Sequence, residues 1–363
     1  MGTFALTILG ASGGPMEIGN QSVMIAKAGP ERAKNWICVD AGSGLHQIKE
    51  MLAQSREANR LGINQHECME EEIESLYESE YEPLGLFMDE RSDVVRGLDT
   101  LDDTQLSKSL LSESIEVFNR IREYYITHAH LDHVAALVIN TPAIRSTEKK
   151  VFALPRTAEA LRTHIFNDSV WPDLLNEDSF LLNLQELQEL RRHTVACISG
   201  WYVTPFRVNH GVTVRNRLPY YSTAFLIGDE PSGDAILVCG DLDSDLLSKQ
   251  QFLAAMWLHL AQTVPFDNLK GILIECSSTN STQNECLYGH LSPRFLVHEL
   301  KQLSRAYNRP LDGLQVIIHH VKIGPGMRDP RLVILDEVRS LAASEALGDV
   351  AFSIGIQGYT FVL

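Results

Sequence analysis

The stretch ITHAHLDHVAALV, residues 126–138, places three histidines and an aspartate within six consecutive positions of an otherwise apolar run. Polar side chains taken out of water without partners each cost roughly 1–3 kcal/mol, so a fold that keeps this cluster near its core has to satisfy it. His128, His130, Asp132 and His133 form H-x-H-x-D-H where a β-type run, REYYIT, gives way to a helical one, VAALVIN. Imidazole and carboxylate are the donors that suit zinc, manganese or iron, and a strand-to-helix turn lets closely spaced side chains converge on one point. Four donors can also be divided between two metals. A set of loop or core histidines satisfied by hydrogen bonds is the plain alternative, and the full four-residue pattern disfavours it.

Groups that could complete such a site stand at the ends of other β-type runs. His210 closes the run YVTPFRVNHG, Asp241 closes AILVCGD, and a histidine closes LQVIIHHVK. Each follows β-type residues and precedes a turn, where loops hold reactive groups above a scaffold. Adjacent strand residues face opposite ways, so only one of His319 and His320 can point at a shared centre, and His320 is the expected one. Asp40, in ICVDAG, has the same placement and could support the cluster from behind. Taken singly, such residues are more often caps or turn formers.

The 363 residues, 44% of them hydrophobic, are enough to bury a sizeable core. A formal net charge of -16 argues against a protein that grips phosphate backbones, since that requires clustered Lys and Arg. The six cysteines are scattered without a C-x-x-C pair and read as buried, reduced thiols. The start, MGTFALTILGASGGP, reads as a first core strand rather than a signal peptide, and no run approaches the roughly 20 apolar residues of a membrane span. The expected location is the cytoplasm, with no membrane partner.

The expected organisation is one domain over residues 1–363 with an acidic insert at about 60–110. Residues 66–103 hold 14 acidic side chains against Arg91 and Arg96, three-quarters of the net charge. Their hydrophobics are too frequent for pure disorder, which suggests a partly helical arm with a solvated face, or a partner or homodimer contact. Outside it, FALTILG, QSVMIA, NWICVD, REYYIT, KKVFAL, YVTPFRV, STAFLIG, AILVCGD, GILIEC, VIIHHV and YTFVL read as strands. Helical spacing is read near 44–62, 109–121, 134–140, 156–167, 178–192, 245–262, 293–307 and 331–346, an order that suggests helices flanking packed sheets.

At this point the chain resembles the metallo-β-lactamase fold superfamily, in which a strand-end Asp, H-x-H-x-D-H, a His, an Asp and a final His follow in that order. More narrowly it is similar to the class II cyclic nucleotide phosphodiesterases, through HAHLDHVAALVINTPA, STAFLIGDE after NHG, CGDLDSD, LIECSS and LYGHLSP. Ala136 stands where that family usually has Gly or Ser, and Thr141 where it usually has Ser. Both are small changes away from the ligands. The resemblance implies an α/β fold, the αββα sandwich of two packed mixed sheets flanked by helices. It also implies two divalent metal ions, zinc first with manganese or iron as alternatives. One would take His128, His130, His210 and Asp241, the other Asp132, His133, His320 and Asp241, with Asp241 and a hydroxide bridging them.

The implied activity is hydrolysis of 3',5'-cyclic nucleotides, cAMP or cGMP, to nucleoside 5'-phosphates, with His290 and Asp132 as catalytic residues. A small cyclic nucleotide is then the substrate, and no nucleic acid is a partner. The resemblance gives His290 contact with the phosphate or protonation of the leaving oxygen, while GHLSP as a mere cap through Ser292 for a helix near Pro293 is the plainer reading. Glu275 could orient His290. Trp201, Phe206, Tyr220 and Tyr221 are candidate stacking surfaces for the base, although such aromatics usually belong to cores. Two other functions share the metal motif: a nuclease of the tRNA 3'-processing type, which would need an arm gripping RNA, and a catalytically vestigial metal-binding scaffold.

Overall fold

A computed structural model describes residues 2–29, 35–61, 84–97, 109–145, 148–175, 181–326 and 328–363. Alternation along the strands builds two faces from one sequence pattern. In β2 (Ser22–Lys27), Val23 and Ile25 face one hydrophobic cluster while Met24 and Ala26 face another. In β3 (Trp36–Val39), Ile37 and Val39 face the first, Trp36 and Cys38 the second. Strands buried on both faces read as continuous apolar runs, which is why the sequence shows them so plainly.

With β1 (Phe4–Gly10), β4 (Val94–Arg96), β5 (Ile121–Ile126), β6 (Lys149–Ala153), β7 (Leu182–Glu186) and β15 (Tyr359–Val362), these form an eight-stranded sheet in the order β4-β15-β1-β2-β3-β5-β6-β7. A seven-stranded sheet follows the order β14-β13-β12-β11-β10-β9-β8. Its strands are β8 (His193–Thr194), β9 (Trp201–Val212), β10 (Pro219–Asp229), β11 (Ala235–Cys239), β12 (Leu269–Glu275), β13 (Gln315–His319) and β14 (Ala351–Ile354). The inter-sheet core contains Phe4, Leu6, Ile8, Tyr125, Phe225, Val238, Leu273 and Ile317.

The outer face of the first sheet is covered by α1 (Leu45–Leu61), α2 (Leu110–Arg120) and α3 (Leu131–Asn140). Beyond β6, α4 (Pro155–Ala160) runs on into a single π turn at Leu161–Ile165. On the second sheet, α5 (Asp245–Ser248) breaks at Lys249, whose φ of 56° is left-handed, and α6 (Phe252–Thr263), α7 (Pro293–Tyr307) and α8 (Pro330–Ser344) complete the outer layer. Two mixed sheets between helical layers are the αββα sandwich. β3 and β5 run parallel, as do β11, β12 and β13, so strand C-termini of both sheets deliver their following loops to the site.

Four strands depart from the sequence reading. Residues 181–192 were expected to be helical, but Leu182–Glu186 is a strand paired parallel with β6, because Leu182 and Leu184 alternate with Asn183 and Gln185; residues 178–180 of that segment lie outside the described residues. β8 and β14 were not anticipated. Most of the acidic block, residues 62–83 and 98–108, lies outside the described residues, but 84–97 is built into the sandwich. There β4 pairs with β15, and Phe87 is buried beneath α8 with Arg331 over its ring. Among the described residues Cys38, Cys197, Cys239, Cys276 and Cys286 are all unpaired, and no helix is long and apolar enough to cross a membrane.

Candidate metal centre

The turn after β5 carries His128 and His130 and opens α3, whose first turn holds Asp132 and His133. Asp40 follows β3 and Asp241 lies just beyond β11, while Glu275 ends β12 and His320 follows β13. His210 is near the end of β9, just after Asn209, which pairs with Tyr221 across the hairpin, and His290 precedes α7. Asp40 and His320 both adopt left-handed backbone, with φ of 58° and 57°, a strain that commonly accompanies functional sites.

Donor atoms of His128, His130, His210 and Asp241 all lie within 4.8 Å of one another, as do those of Asp132, His133, Asp241 and His320. Asp241 belongs to both sets, and its two oxygens divide between them. Oδ2 is 3.7 Å from His128 Nε2 and 3.6 Å from His210 Nε2. Oδ1 is 3.3 Å from the Nε2 atoms of both His133 and His320. Asp132 Oδ2 closes the second set, 3.6 Å from His133 Nε2 and 3.4 Å from His320 Nε2. All seven expected side chains therefore meet.

The far ring nitrogens are held by the protein. His133 Nδ1 donates to Asp40 Oδ2 at 2.7 Å, and Asp40 also accepts from the backbone and hydroxyl of Thr127. Thr127 Oγ1 in turn lies 3.1 Å from His128 Nδ1. His210 Nδ1 donates to Gly289 O at 2.8 Å, and His320 Nδ1 is 3.0 Å from Ser277 Oγ. These bonds turn each Nε2 inward. His319 points elsewhere: its Nδ1 donates to Gln21 Oε1 at 2.7 Å.

The donor set fits metal ions. His128 Nε2 is buried and has no hydrogen-bond partner, an orphaned lone pair in the middle of the first set. Burial pushes His210 down to about 3, and burial followed by the charge of His133 pushes His128 well below its usual range, so both are neutral as ligands must be; His133 is shifted the other way, since Asp241 and Asp40 outweigh its burial, and would give up its Nε2 proton on binding a cation. Burial would raise Asp241, but His320 and His133 outweigh it and keep the carboxylate ionised.

His290 stands beside this cluster, its ring 4.8 Å from that of His210 and 5.2 Å from that of His320. Its Nδ1 donates to Glu275 Oε1 at 2.9 Å. Burial works to lower its pKa, yet the carboxylates of Glu275 and Asp241 prevail and raise it. Ser292 is the N-cap residue of α7, but its hydroxyl makes no capping bond. Thr127 and Ser277 were missed from sequence, since a hydroxyl beside a strand end carries no pattern of its own. Ser277 Oγ donates to Glu275 Oε2 at 2.7 Å and so ties His290's partner to His320's.

The aromatic expectations need correction. Trp201 is buried in the inter-sheet core and Phe206 under the helices of the second sheet, because alternate residues of β9 face those two layers. Neither can stack on a ligand. Tyr220 lies parallel to the His130 ring at 4.8 Å, and Tyr221 packs edge-on to Phe252.

A family model of class-II cAMP phosphodiesterases matches residues 37–358. The chain belongs to that family. It is 41% identical to 3',5'-cyclic-nucleotide phosphodiesterase 1 of Saccharomyces cerevisiae, over all of both chains. A 3',5'-cyclic-nucleotide phosphodiesterase of Candida albicans is 28% identical, over 99% of this chain and 100% of that one. The crystal structure of unliganded yeast PDE1 superimposes with a TM-score of 0.91 at 40% identity, covering 100% of both chains. The metallo-β-lactamase fold protein YhfI of Bacillus subtilis, at 12% identity, a TM-score of 0.54 and 99% coverage of each chain, shares the fold alone.

Proposed function

We propose that this phosphodiesterase hydrolyses 3',5'-cyclic nucleotides to nucleoside 5'-phosphates at a pair of divalent cations. The observation that carries the reading is Asp241, one carboxylate presenting a separate oxygen to each of two donor sets. The relatives named 3',5'-cyclic-nucleotide phosphodiesterase support the substrate class. His128, His130, His210 and Asp241 would hold one cation, and Asp132, His133, Asp241 and His320 the other; zinc suits these donors, with manganese or iron as alternatives. Such cations supply a hydroxide at neutral pH and offset the charge of the phosphodiester, which lets an acidic protein receive an anion.

The protein's own groups position and protonate. In the reaction a P–O bond forms to the oxygen of water, the P–O3' bond breaks, and a proton ends on O3'. His290, held at Nδ1 by Glu275 and with its pKa raised, carries a proton on Nε2 that it can deliver to O3'. Burial would raise Asp132, but its bond to His320 and the charge of His133 hold it well below the usual carboxylate range; ionised and open to solvent over about a third of its side chain, it can accept a hydrogen bond from the attacking water and orient it while the water's proton leaves to solvent. Asp40, Thr127 and Ser277 keep the ring nitrogens aimed.

Chromatographic product analysis after incubation of the metal-loaded protein with cAMP and with cGMP tests this. Nucleoside 5'-monophosphate is expected from at least one. Release of the 3'-monophosphate, or no turnover of either, contradicts it. Cleavage of a tRNA precursor alone would favour the nuclease reading, and bound metal without any turnover the vestigial scaffold.

A further inference from the structure

Trp201 and Phe206 are buried, Tyr220 is stacked on His130 and Tyr221 is packed against Phe252, whereas the turn just before His290 offers an aromatic ring with no partner among the described residues. His290 N donates to Leu287 O at 3.2 Å, closing a turn whose two central residues are Tyr288 and Gly289. Both have positive φ, 52° and 87°, the pattern of a type I′ turn. Gly or Asn fills such a first position with little strain, whereas a bulky aromatic there is an outlier. The same residue is 75% exposed, while Leu287 and Leu291 on either side of the turn are buried. Tyr288 therefore carries two costs, a strained backbone and an aromatic ring left in water, and folding gains nothing visible from either. Among the described residues the ring has no aromatic partner and its hydroxyl no hydrogen bond.

The turn is fixed in place. Gly289 O accepts from His210 Nδ1, and a Cβ on Gly289 would lie 2.6 Å from Gly211 N, so the two backbones touch. Tyr288 is two residues from His290, at most about 7 Å of chain. Across the cluster, Leu131 lies between His130 and Asp132 and is 67% exposed. It opens α3 after β5 of one sheet, and Tyr288 lies in the segment after β12 of the other, so each sheet brings an exposed apolar side chain to within two residues of a site histidine.

We propose that Tyr288 is the nucleobase platform of the substrate site: the purine of a cyclic nucleotide stacks on its ring while the phosphate lies at the cluster behind it. This rests on the cyclic-nucleotide reading above. The strained backbone of Tyr288 and an exposed, unpartnered aromatic ring two residues from His290 are the two independent supports.

The test compares a ligand with a base and one without. Inhibition constants of AMP and of inorganic phosphate are measured against cAMP hydrolysis for the metal-loaded wild type, Tyr288→Ala, Tyr288→Phe and Tyr288→Asn. Loss of the stack should weaken AMP about 10- to 100-fold in the Ala and Asn variants and raise KM for cAMP, with phosphate inhibition unchanged. Phe should bind AMP like the wild type. Asn suits the left-handed backbone, so that variant should also show a higher midpoint of thermal unfolding, which separates lost binding from lost folding. Unchanged AMP inhibition in the Ala variant overturns the platform, as does equal weakening of AMP and phosphate, or AMP binding no tighter than phosphate in the wild type. Absence of cAMP turnover by the wild type would instead overturn the cyclic-nucleotide reading, and direct titration of AMP and phosphate would still decide on Tyr288.

Discussion

At the residue scale, histidines packed within a few ångströms of one another would carry different duties, and the duty follows from which ring nitrogen faces Asp241. His133, His210 and His320 are fixed by Asp40, Gly289 O and Ser277, with Nε2 on the Asp241 side. His290 instead turns Nδ1 to Glu275 and, at 3.9 Å, to Asp241, so its Nε2 belongs to neither donor set, and the two carboxylates favour its protonated form. His290→Ala should therefore retain its metals and lose about 10² to 10⁴ in cAMP turnover, the usual worth of general acid catalysis. A nitrophenyl phosphodiester, whose leaving group needs no proton, should slow far less. Equal slowing of both would make His290 a phosphate-binding group instead. The ligand candidates were legible because each stands at the end of a β-type run. Strand alternation showed that only one of His319 and His320 could face the cluster; the left-handed backbone at His320 and the bond from His319 to Gln21, which complete the arrangement, leave no trace in sequence.

At the scale of elements, the junction of α2, β5 and β6 is built around a buried cation. Lys149, 1% exposed at the start of β6, donates to Phe118 O at 2.6 Å and Ile121 O at 2.7 Å, the carbonyls at the end of α2. Burial, then the nearby charge of Arg122, pushes its pKa down to about 7. The unfolded chain binds this proton up to a pKa near 10.5, so between pH 7 and 10 it holds more protons than the folded one, and stability rises with pH. Below pH 7 both states are charged and the full desolvation cost remains. Relative to the wild type, Lys149→Met should be most favourable near pH 6 and lose about 1 kcal/mol of that advantage per pH unit from 7 to 10, read by denaturant unfolding. A difference independent of pH would show the ammonium to be fully compensated by its carbonyls. This junction was invisible in sequence, where KKVFAL reads simply as a strand. The misread β7 has a similar origin: Leu, Gln and Glu favour helices, and the edge of a parallel sheet overrode that preference.

At the scale of the whole molecule, the two-layer architecture was legible because both sheets are apolar on both faces and their helices carry the complementary stripes. The role of 84–97 was not, since charge dominates the acidic block and a three-residue edge strand has too little pattern to read. What the sandwich achieves is convergence: loops from the ends of strands in both sheets meet at Asp241, which no single motif contains. The central claim is that this meeting point holds about two divalent cations required for cyclic-nucleotide hydrolysis. Elemental analysis of active wild-type protein beside Asp241→Ala tests it most directly. The account predicts about two metal ions per chain in the wild type and loss of both metals and turnover in the variant. Active wild-type protein containing essentially no metal, or Asp241→Ala with full metal content and full turnover, would contradict it.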